Sequence, residues 1–562
     1  MFKSLVWLIA FAFPGQAIDV LTSEFNNNRT GHNPFETILT PANVGGGTFG
    51  KLGQYPVDDL VYARPLALDH YRFAKGVKNA VIFATENNSV YAYDAARYGV
   101  DALIWHIHFG APLDVSSVPG GPTHGHQQFL GFTIGCMATP VIDKAAGVLY
   151  ALCSDGTSGS ITAGWQIHRV DLKTGAELGT ATQVIAKFPG TGNQASQPKD
   201  TQDGSGNFWF NGHFELARIP LALANGILYT FWSAYGDQPP GHGHVIGYRV
   251  SDMTQVSSWT VSPSGSPGLG SLWQSGRGVP VDLAGTLYLM TGNGSFNGTS
   301  MFGDSWVKLT AALTFGAFYS PSNNAQINAG DWDISSSGPI RVPETKWLVG
   351  GAKDRLVRVI DVTNMGGTDS GNGRSPTKVT AINATCNTNC AYQISGIFNQ
   401  AYSPANKMFF ESDVDGPLYG LKFNETTGVL SSPSIQTAQT FGFPGAFISV
   451  SCNGLTASTC IVWAATADGQ PGNTGSAGFN VANNAFDKFK AGTLRAFRAS
   501  DLQEIYNSDA LGRRDAVGAL AKFQPPMPIN GKVYLPSFSG YVNAYGLGAS
   551  PVSLSPSIVG LR

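Results

Sequence analysis

Residues 271–309 read SLWQSGRGVPVDLAGTLYLMTGNGSFNGTSMFGDSWVKL, and they hold one complete copy of a pattern that recurs along the chain. A polar-capped strand at 278–282 meets a turn at 283–285, and Asp-Leu-Ala-Gly between apolar runs is typical of a β-hairpin. A second strand at 286–291 ends in Thr-Gly-Asn-Gly, whose glycines permit a sharp turn with positive φ, and a third strand follows at 305–309. The stretch therefore predicts a unit of short antiparallel strands.

The central phrase of this unit, a turn followed by Gly-x-Leu-Tyr, returns in close and looser copies. The close copies are at 147–153, 226–232, 285–291 and 531–537, and the looser ones are at 80–85, 346–351, 407–412 and 460–465. A second phrase shaped like Tyr-Ala-Tyr-Asp follows most of them. Repeats of several strands each predict an all-β fold, an eight-bladed β-propeller of four-stranded antiparallel blades over residues 18–547. We expect the segment 18–60 to pair with the last copy, because closure by N- and C-terminal strands removes exposed edges.

The composition and the N-terminus exclude several classes of protein. Charged residues are 13% of the chain and the formal charge is −2, so no basic surface for nucleic acid is expected. Lys3, the apolar run 5–13 and Pro-Gly-Gln-Ala at 14–17 predict a signal peptide over residues 1–17. No later apolar run is long enough to span a bilayer. We expect a secreted, extracellular monomer (periplasmic in a bacterium) with a loose tail at 548–562.

The cysteines and glycosylation sequons agree with export. Six cysteines form an even set, and each has a neighbour in sequence that fits a local bridge, with free buried thiols as the alternative. The predicted disulfides are Cys136–Cys153, Cys386–Cys390 and Cys452–Cys460. In a eukaryotic host we expect a glycoprotein; the Asn-x-Ser/Thr sequons are at Asn28, Asn87, Asn293, Asn297, Asn383 and Asn424.

Two groups of residues in predicted loops are candidates for ligand binding. Trp273 and Gln274 stand just before a strand, and an aromatic ring beside an amide suits a planar ligand or a sugar. The alternative is that Trp273 is wedged between blades. His242 and His244 are separated by a glycine, which allows both imidazoles to face one metal ion, with Asp237 nearby. The alternative is that these histidines cap turns.

The motifs of this chain resemble those of a known group of propellers. They are LTPANV at 39–44, TPVID at 139–143, WQSG at 273–276, TGNG at 291–294, GGAKD at 350–354 and SDVDG at 412–416. Together they resemble the quinoprotein-type eight-bladed propellers, which include the PQQ-dependent alcohol dehydrogenases and secreted PQQ-repeat proteins. The resemblance covers nearly the whole mature chain. It implies the fold more strongly than the activity, because one fold hosts many functions.

The resemblance also implies roles for individual residues. Asn293 matches an asparagine that helps to bind a calcium ion beside PQQ, and Lys353 matches a basic residue that contacts the quinone oxygens. Asp331, or Asp333 two residues later, matches the catalytic aspartate. The implied cofactors are therefore PQQ and Ca²⁺, with Lys353 stabilising developing charge and Asp331 acting as a general base. The alternative from the residues alone is a Lys353–Asp331 ion pair that holds a turn.

Four features depart from the dehydrogenase pattern. No two cysteines are adjacent, no glutamate stands near 236–237 to match the calcium-binding one, and no Cys-x-x-Cys-His is present for covalent haem. A glycan on Asn293 would also be incompatible with a ligand role. Three functions remain open: a secreted quinoprotein-like oxidoreductase acting on an alcohol or sugar in the axial funnel, a non-redox propeller that binds a carbohydrate or small molecule (with lyase or cyclase chemistry as an option), and a non-catalytic interaction module.

Overall fold

Eight small sheets surround one axis and form an eight-bladed β-propeller, as predicted. The computed structural model describes residues 18–118, 131–156, 164–192, 204–237, 239–264, 268–370, 377–381, 396–414, 416–467 and 490–548. The predicted signal peptide, the Cys386–Cys390 pair and almost all of the predicted tail lie outside these residues. The eight copies of the sequence phrase fall in eight different sheets, and each supplies the second strand from the axis.

The blades are numbered here in chain order, and their strands are given from the axis outward. Blades 1 to 3 consist of Leu66–Phe73, Gly76–Ala84, Ser89–Asp94 and Leu103–His108; Val141–Asp143, Val148–Ser154, Trp165–Asp171 and Thr182–Gln183; and Ala222–Ala224, Ile227–Ala234, His244–Arg249 and Thr254–Thr260. Blade 4 consists of an inner bridge from Val281 to Leu287, then Leu287–Met290, Trp306–Leu309, Phe315–Ser320 and Gly367–Thr368.

Blades 5 to 8 follow the same plan. They consist of Ile340–Arg341, Trp347–Gly351, Leu356–Asp361 and Lys378–Ala381; Ile397–Ser403, Met408–Asp413, Leu418–Asn424 and Ile435–Gln436; Phe447–Asn453, Thr456–Ala467, Gly492–Arg498 and Glu504–Asn507; and Met527–Ile529, Lys532–Ser537, Tyr541–Leu547 and Phe49–Pro56. The remaining strands are His32–Asn33, Leu113–Asp114, Thr133–Ile134, Lys187–Pro189, Asn207–Trp209, Glu215–Leu216 and Val429–Leu430. The α-helices are Pro41–Val44 and Asn324–Gly330, and the 3₁₀ turns are Ser23–Phe25, Val100–Ala102, Val115–Ser117, Tyr235–Asp237, Gln274–Gly276, Ile334–Ser336 and Ser508–Arg514.

The burial pattern explains why the second strands carry the recognisable phrase. Ile227–Ala234 is buried at every position after its first residue, whereas the outer strand Thr254–Thr260 is buried only at its last residue. A second strand has neighbouring blades on both of its faces, so both sets of alternating side chains are apolar or small. The sequence consequently reads there as a short continuous apolar run.

The ring is closed by strands from the two ends of the chain. Phe49–Pro56 pairs antiparallel with Tyr541–Leu547 and forms the outer strand of blade 8. Tyr55 in the closing strand is fully buried, and its ring contacts Phe83, Tyr93, Tyr98 and Tyr534. The predicted closure is therefore confirmed.

One strand departs from the predicted antiparallel blade. Gly367–Thr368 belongs in sequence to blade 5, but it pairs with Phe315–Ser320 of blade 4 in parallel orientation. The connection between the last two strands of blade 5 therefore supplies the outer strand of blade 4, and the chain then returns to blade 5.

An N-terminal belt, residues 19–36, crosses one end of the central channel. Its backbone and asparagine side chains hydrogen-bond to the inner strand or inner-strand bridge of all eight blades in turn; the partners in blades 1 to 8 are Ala67, Ile142, Leu223, Val281, Arg341, Tyr402, Val450 and Pro528. These contacts lie toward the turns that join first and second strands. The belt therefore closes that face, and the opposite face carries the loops that follow the second strands.

Two of the predicted disulfides are confirmed. They join Cys136 to Cys153 and Cys452 to Cys460. Disulfides of this kind are typical of proteins that fold in an oxidising compartment. In the part of the chain that the structure describes, no helix is long and apolar enough to cross a membrane.

Candidate active site

Three successive blades each place one polar side chain just beyond the end of the second strand. Asp237 follows Ile227–Ala234 in blade 3, Asn293 follows Leu287–Met290 in blade 4, and Lys353 follows Trp347–Gly351 in blade 5. Because the blades are related by rotation about the axis, equivalent positions in neighbouring blades converge at the top of the channel. The three side chains therefore meet although about 60 residues separate each from the next.

The Thr-Gly-Asn-Gly phrase fixes Asn293 by close backbone approach. A Cβ atom on Gly292 would lie 2.6 Å from Asp333 Oδ1, and one on Gly294 would lie 2.4 Å from the backbone N of Gly270. Neither position has room for a side chain, which explains both glycines. The backbone N of Asn293 donates to Asp333 Oδ1 at 3.1 Å.

Two further carboxylates come from the segment between blades 4 and 5. Asp331 ends the helix Asn324–Gly330 in the left-handed conformation, with φ 55°, and its backbone N–H returns to the helix carbonyls. This cap turns the chain sharply, so that Asp331 and Asp333 both enter the site. The side chain of Asn328 anchors the same helix by accepting from the backbone N of Gly294 at 2.8 Å.

The five side chains form one connected group. Lys353 Nζ lies 2.5 Å from Asp333 Oδ2 and 3.3 Å from Asp331 Oδ2, and Asn293 Nδ2 donates to Asp331 Oδ1. One carboxylate oxygen from each of Asp237, Asp331 and Asp333 lies within 4.8 Å of the others. The predicted pair Asp331–Lys353 and the predicted ligand Asn293 are thus brought together.

The electrostatics of this group are dominated by burial and by carboxylate repulsion. Burial and the charges of Asp333 and Asp331 raise the pKa of Asp237 to about 7, and burial together with Asp333 raises the pKa of Asp331 to about 6. Burial lowers the pKa of Lys353, but attraction to Asp333 and Asp331 outweighs it and leaves that pKa above its usual value. Burial and Asp333 also raise the pKa of nearby Asp304 well above its usual range.

The oxygen atoms present fit a hard metal cation. Three carboxylates face one another with a single lysine to balance them, and Asn293 Oδ1 is buried without a hydrogen-bond partner. Carboxylate and amide oxygens are the ligands that Ca²⁺ prefers. A cation placed among Asp237, Asn293, Asp331 and Asp333 would satisfy the orphaned amide oxygen and offset the carboxylate repulsion.

Trp273 and Gln274 take different positions relative to this group. Trp273 Nε1 donates to Asp237 Oδ1 at 2.8 Å, and its half-buried ring packs against the central apolar cluster. Gln274 is fully buried; its amide donates to the backbone of Arg277 and accepts from Met290 N. Trp273 therefore borders the candidate site, whereas Gln274 braces the turn beside it, where Gln274, Ser275 and Gly276 all have positive φ.

His242 and His244 lie in a different environment. His242 Nδ1 bonds to the carbonyl of Ser262 at 2.8 Å, and the ring of His244 stacks on Phe188 with centroids 4.1 Å apart. Burial and the neighbouring His244 lower the pKa of His242 to about 3. Neither histidine belongs to the Asp237–Asp331–Asp333 group, so the structure does not bring the predicted metal histidines to the other predicted ligands. A second pair of histidines separated by a glycine, His124 and His126, lies outside the described residues.

No protein-family model and no curated protein sequence matches this chain, but solved structures do. The quinohemoprotein alcohol dehydrogenase ADHIIG from Pseudomonas putida HK5 aligns with a TM-score of 0.57 at 12% identity, over 96% of this chain and 82% of that one. The quinohemoprotein alcohol dehydrogenase from Comamonas testosteroni aligns with a TM-score of 0.56 at 14% identity, over 97% and 82%. The fold is that of the quinoprotein alcohol dehydrogenases. A europium-containing methanol dehydrogenase also aligns, with a TM-score of 0.52 at 12% identity, over 94% and 98%.

Two members of this candidate site are predicted less directly by the sequence. Asp237 occupies the blade 3 position equivalent to Asn293 and Lys353, although no glutamate stands near it to match the resemblance. The resemblance implies Asp333 only as the alternative to Asp331 for the catalytic aspartate. The sequence feature that could have identified Asp237 is its position. A polar residue stands two or three places after the second strand in blades 3, 4 and 5.

Proposed function

We propose that this chain is a quinoprotein-like oxidoreductase that oxidises an alcohol or a sugar at the open end of the propeller channel, with PQQ and a bound cation. The observation that carries the proposal is the convergence of three carboxylates, an orphaned amide oxygen and Lys353 at one end of the channel. The shared fold with quinohemoprotein alcohol dehydrogenases supports it.

The residues of the chain take distinct parts in this proposal. Asp237, Asn293, Asp331 and Asp333 hold the cation. Asp331 lies beside Lys353 and would accept a proton from a substrate hydroxyl, since a bound cation keeps its carboxylate ionised. Lys353 presents a buried cation, which stabilises negative charge on a nearby oxygen more strongly than an exposed cation would. The quinone, when bound, would accept the two electrons removed from the substrate.

Trp273 offers the planar surface that such a cofactor needs beside the cation. Its indole borders Asp237 and leans on the central apolar cluster, so a flat aromatic ligand stacked there would reach the carboxylate group. Trp273 would cover one face of the cofactor ring. The chain has no adjacent cysteines that could contact the opposite face, so other groups would cover it.

The net negative charge of the site favours cations of high charge. Three carboxylates against one lysine leave an excess of negative charge, and affinity for hard cations rises with the number of charged ligands. One fold neighbour is a europium-containing enzyme. We therefore propose Ca²⁺ or a trivalent lanthanide as the occupant, with tighter binding of the trivalent ion.

Two further proposals concern the secretion and the glycosylation of the protein. We propose that residues 1–17 direct secretion and that the mature protein is a monomer whose propeller spans 18–547. Asn297 and Asn424 are exposed sequons, whereas the sequon residue Asn293 is buried among the carboxylates. In a eukaryotic host, glycans would therefore occupy Asn297 and Asn424 and leave Asn293 unmodified.

The experiment combines cofactor binding with activity. Purified protein is titrated with PQQ in the presence of Ca²⁺ or Eu³⁺, and dye reduction is followed with alcohols and sugars. The test variant is Asp333→Asn, which removes one carboxylate without changing its shape; the control is Asp501→Asn, in an exposed pair with Arg498. We expect binding and dye reduction that Asp333→Asn abolishes and Asp501→Asn keeps.

A negative result has a definite meaning. If PQQ fails to bind at tens of micromolar with either cation, the oxidoreductase proposal is wrong, and the non-redox carbohydrate or small-molecule binder becomes the better candidate.

A further inference from the structure

Arg218 lies at the channel, next to the candidate site. It stands four residues before the inner strand of blade 3, and its guanidinium carbon lies 4.0 Å from the ring centroid of Phe523. On another side, a Cβ atom on Gly276 would lie 3.9 Å from Arg218 Nε. Gly276 closes the left-handed turn that begins after Trp273. The guanidinium is therefore held between an aromatic ring and the turn that carries the indole of the candidate site.

The guanidinium of Arg218 has no anionic partner among the residues that the structure describes. Its Nη2 atom is buried and makes no hydrogen bond, and none of the ion pairs found in those ranges includes it. Other shielded arginines of the same ring are paired: Arg64 lies 2.5 Å from Glu24, and Arg358 lies 2.5 Å from Asp354. Burial also lowers the pKa of Arg218 to about 10.

An unpaired guanidinium in this position is costly to the folded protein. A buried charge without a partner is strongly disfavoured, and the contact with Phe523 offsets only part of the cost. Groups that break the ordinary rules of pairing are concentrated at functional sites, where a ligand supplies what the fold leaves out. The planar fork of arginine matches the two oxygens of a carboxylate.

We propose that Arg218 binds a carboxylate of the molecule that occupies the channel beside Trp273. The inference rests on the proposed function for the position of that molecule. It adds that the ligand is anionic where it meets Arg218, which separates it from a simple alcohol or an uncharged sugar. The carboxylate belongs either to the quinone or to an acidic substrate such as a hydroxy acid, and the test distinguishes these two sources.

The experiment compares two pairs of probes, each with one member that carries carboxylate and a related member that is uncharged. The first pair is PQQ and its trimethyl ester, with Ca²⁺ present. The second is lactate and propane-1,2-diol. Equilibrium binding is measured by calorimetry for the wild type, Arg218→Gln, Arg218→Lys and the control Arg249→Gln, whose exposed side chain pairs with Asp252. The thermal midpoint of each ligand-free protein is recorded as well.

The expected result is selective. Arg218→Gln should weaken binding of the charged member of one pair by about tenfold or more and leave the uncharged member within about twofold. Arg218→Lys should retain part of the affinity, and Arg249→Gln should retain all of it. Because an unpaired cation is removed, the ligand-free Arg218→Gln protein should be as stable as the wild type or more stable.

The outcomes separate this inference from the proposed function. Dependence of PQQ affinity on Arg218 assigns the carboxylate to the quinone, and dependence of lactate affinity assigns it to the substrate. If PQQ does not bind but lactate binding depends on Arg218, the proposed cofactor is wrong and this inference stands. The inference is overturned if no charged probe binds the wild type, if Arg218→Gln weakens both members of a pair equally, or if it lowers the thermal midpoint, as a packing residue would.

Discussion

Cation affinity at the candidate site should fall steeply as the pH is lowered. The carboxyl of Asp237 has a pKa of about 7 and that of Asp331 has a pKa of about 6, because both are buried and both face other carboxylates. A cation binds only the ionised form of its ligands, so it must displace these protons. Affinity should therefore rise with pH through the range 5 to 8 and level off above it.

The size of the effect follows from the two pKa values. At pH 5, Asp237 would be ionised in about one molecule in a hundred and Asp331 in about one in ten, whereas at pH 8 both are almost fully ionised. If both protons must leave, affinity should drop about a thousandfold between pH 8 and pH 5, or about 4 kcal/mol. The two carboxyls titrate as a pair, so the measured curve reports both together.

The assay is a titration with Ca²⁺ against a competing indicator at pH 5, 6, 7 and 8. Asp237→Asn is the test variant, and Asp501→Asn is the control with an unaltered site. The wild type and the control should show the full drop, while Asp237→Asn should bind more weakly at pH 8 and lose most of the slope between pH 7 and pH 6. An affinity that changes less than about threefold over the whole range would refute the reasoning, since ligands already ionised at pH 5 release no proton.

Three further predictions concern the ring and its centre. Burial lowers the pKa of His32 to about 3; the unfolded chain therefore gains a proton near pH 6.5 that the folded chain does not bind, and stability should fall as pH decreases from 6.5, by about 2 kcal/mol at pH 5. Urea denaturation of His32→Gln should show a correspondingly smaller loss, and an unchanged loss would contradict this. Tyr55→Ala in the closing strand should cost about 3–5 kcal/mol of unfolding free energy, measured by calorimetry; a cost below about 1 kcal/mol would mean that the closing strand adds little. Gly292→Ala should lower cation affinity about tenfold or more with an unchanged circular dichroism spectrum, because its Cβ would lie 2.6 Å from Asp333 Oδ1; equal affinity would show that this loop adapts freely.

The blades could be predicted because each is specified by residues that are close together in the sequence. A continuous apolar run such as 227–234, followed by a turn and a second run, specifies one hairpin without reference to the rest of the chain. Closure by Phe49–Pro56 followed from the general need to remove exposed edges. The N-terminal belt could not be predicted in the same way, because it contributes only a few hydrogen bonds to each blade and shows no strand-like alternation.

The site was only partly predictable for a related reason. Asn293 and Lys353 each lie in a short glycine-containing motif, so each can be recognised from the residues next to it in the sequence. Asp237 stands in Tyr-Gly-Asp, which resembles an ordinary turn until blade 3 is placed against blades 4 and 5. Its contact with Asp333, almost a hundred residues later, exists only in the closed ring. His242 and His244 stand apart from this group: their spacing suggests a metal site, whereas in the structure they contact Phe188, Glu215 and the carbonyl of Ser262.

The two ends of the channel differ in a way that fixes how a ligand reaches the site. At the belt end, Arg29 donates to Val279 O and Arg277 donates to Arg29 O, and both arginines are fully buried. Hydrogen bonds from the belt to all eight blades, together with these buried cations, cover that end of the channel. The carboxylate group lies at the other end, beyond the second strands. We therefore expect a substrate to enter across that face, where the carboxylates of Asp237, Asp331 and Asp333 lie. With all three carboxylates ionised and Lys353 charged, the metal-free group carries an excess of negative charge and repels anionic molecules. Ca²⁺ would neutralise this excess, and a trivalent lanthanide would leave the mouth positive.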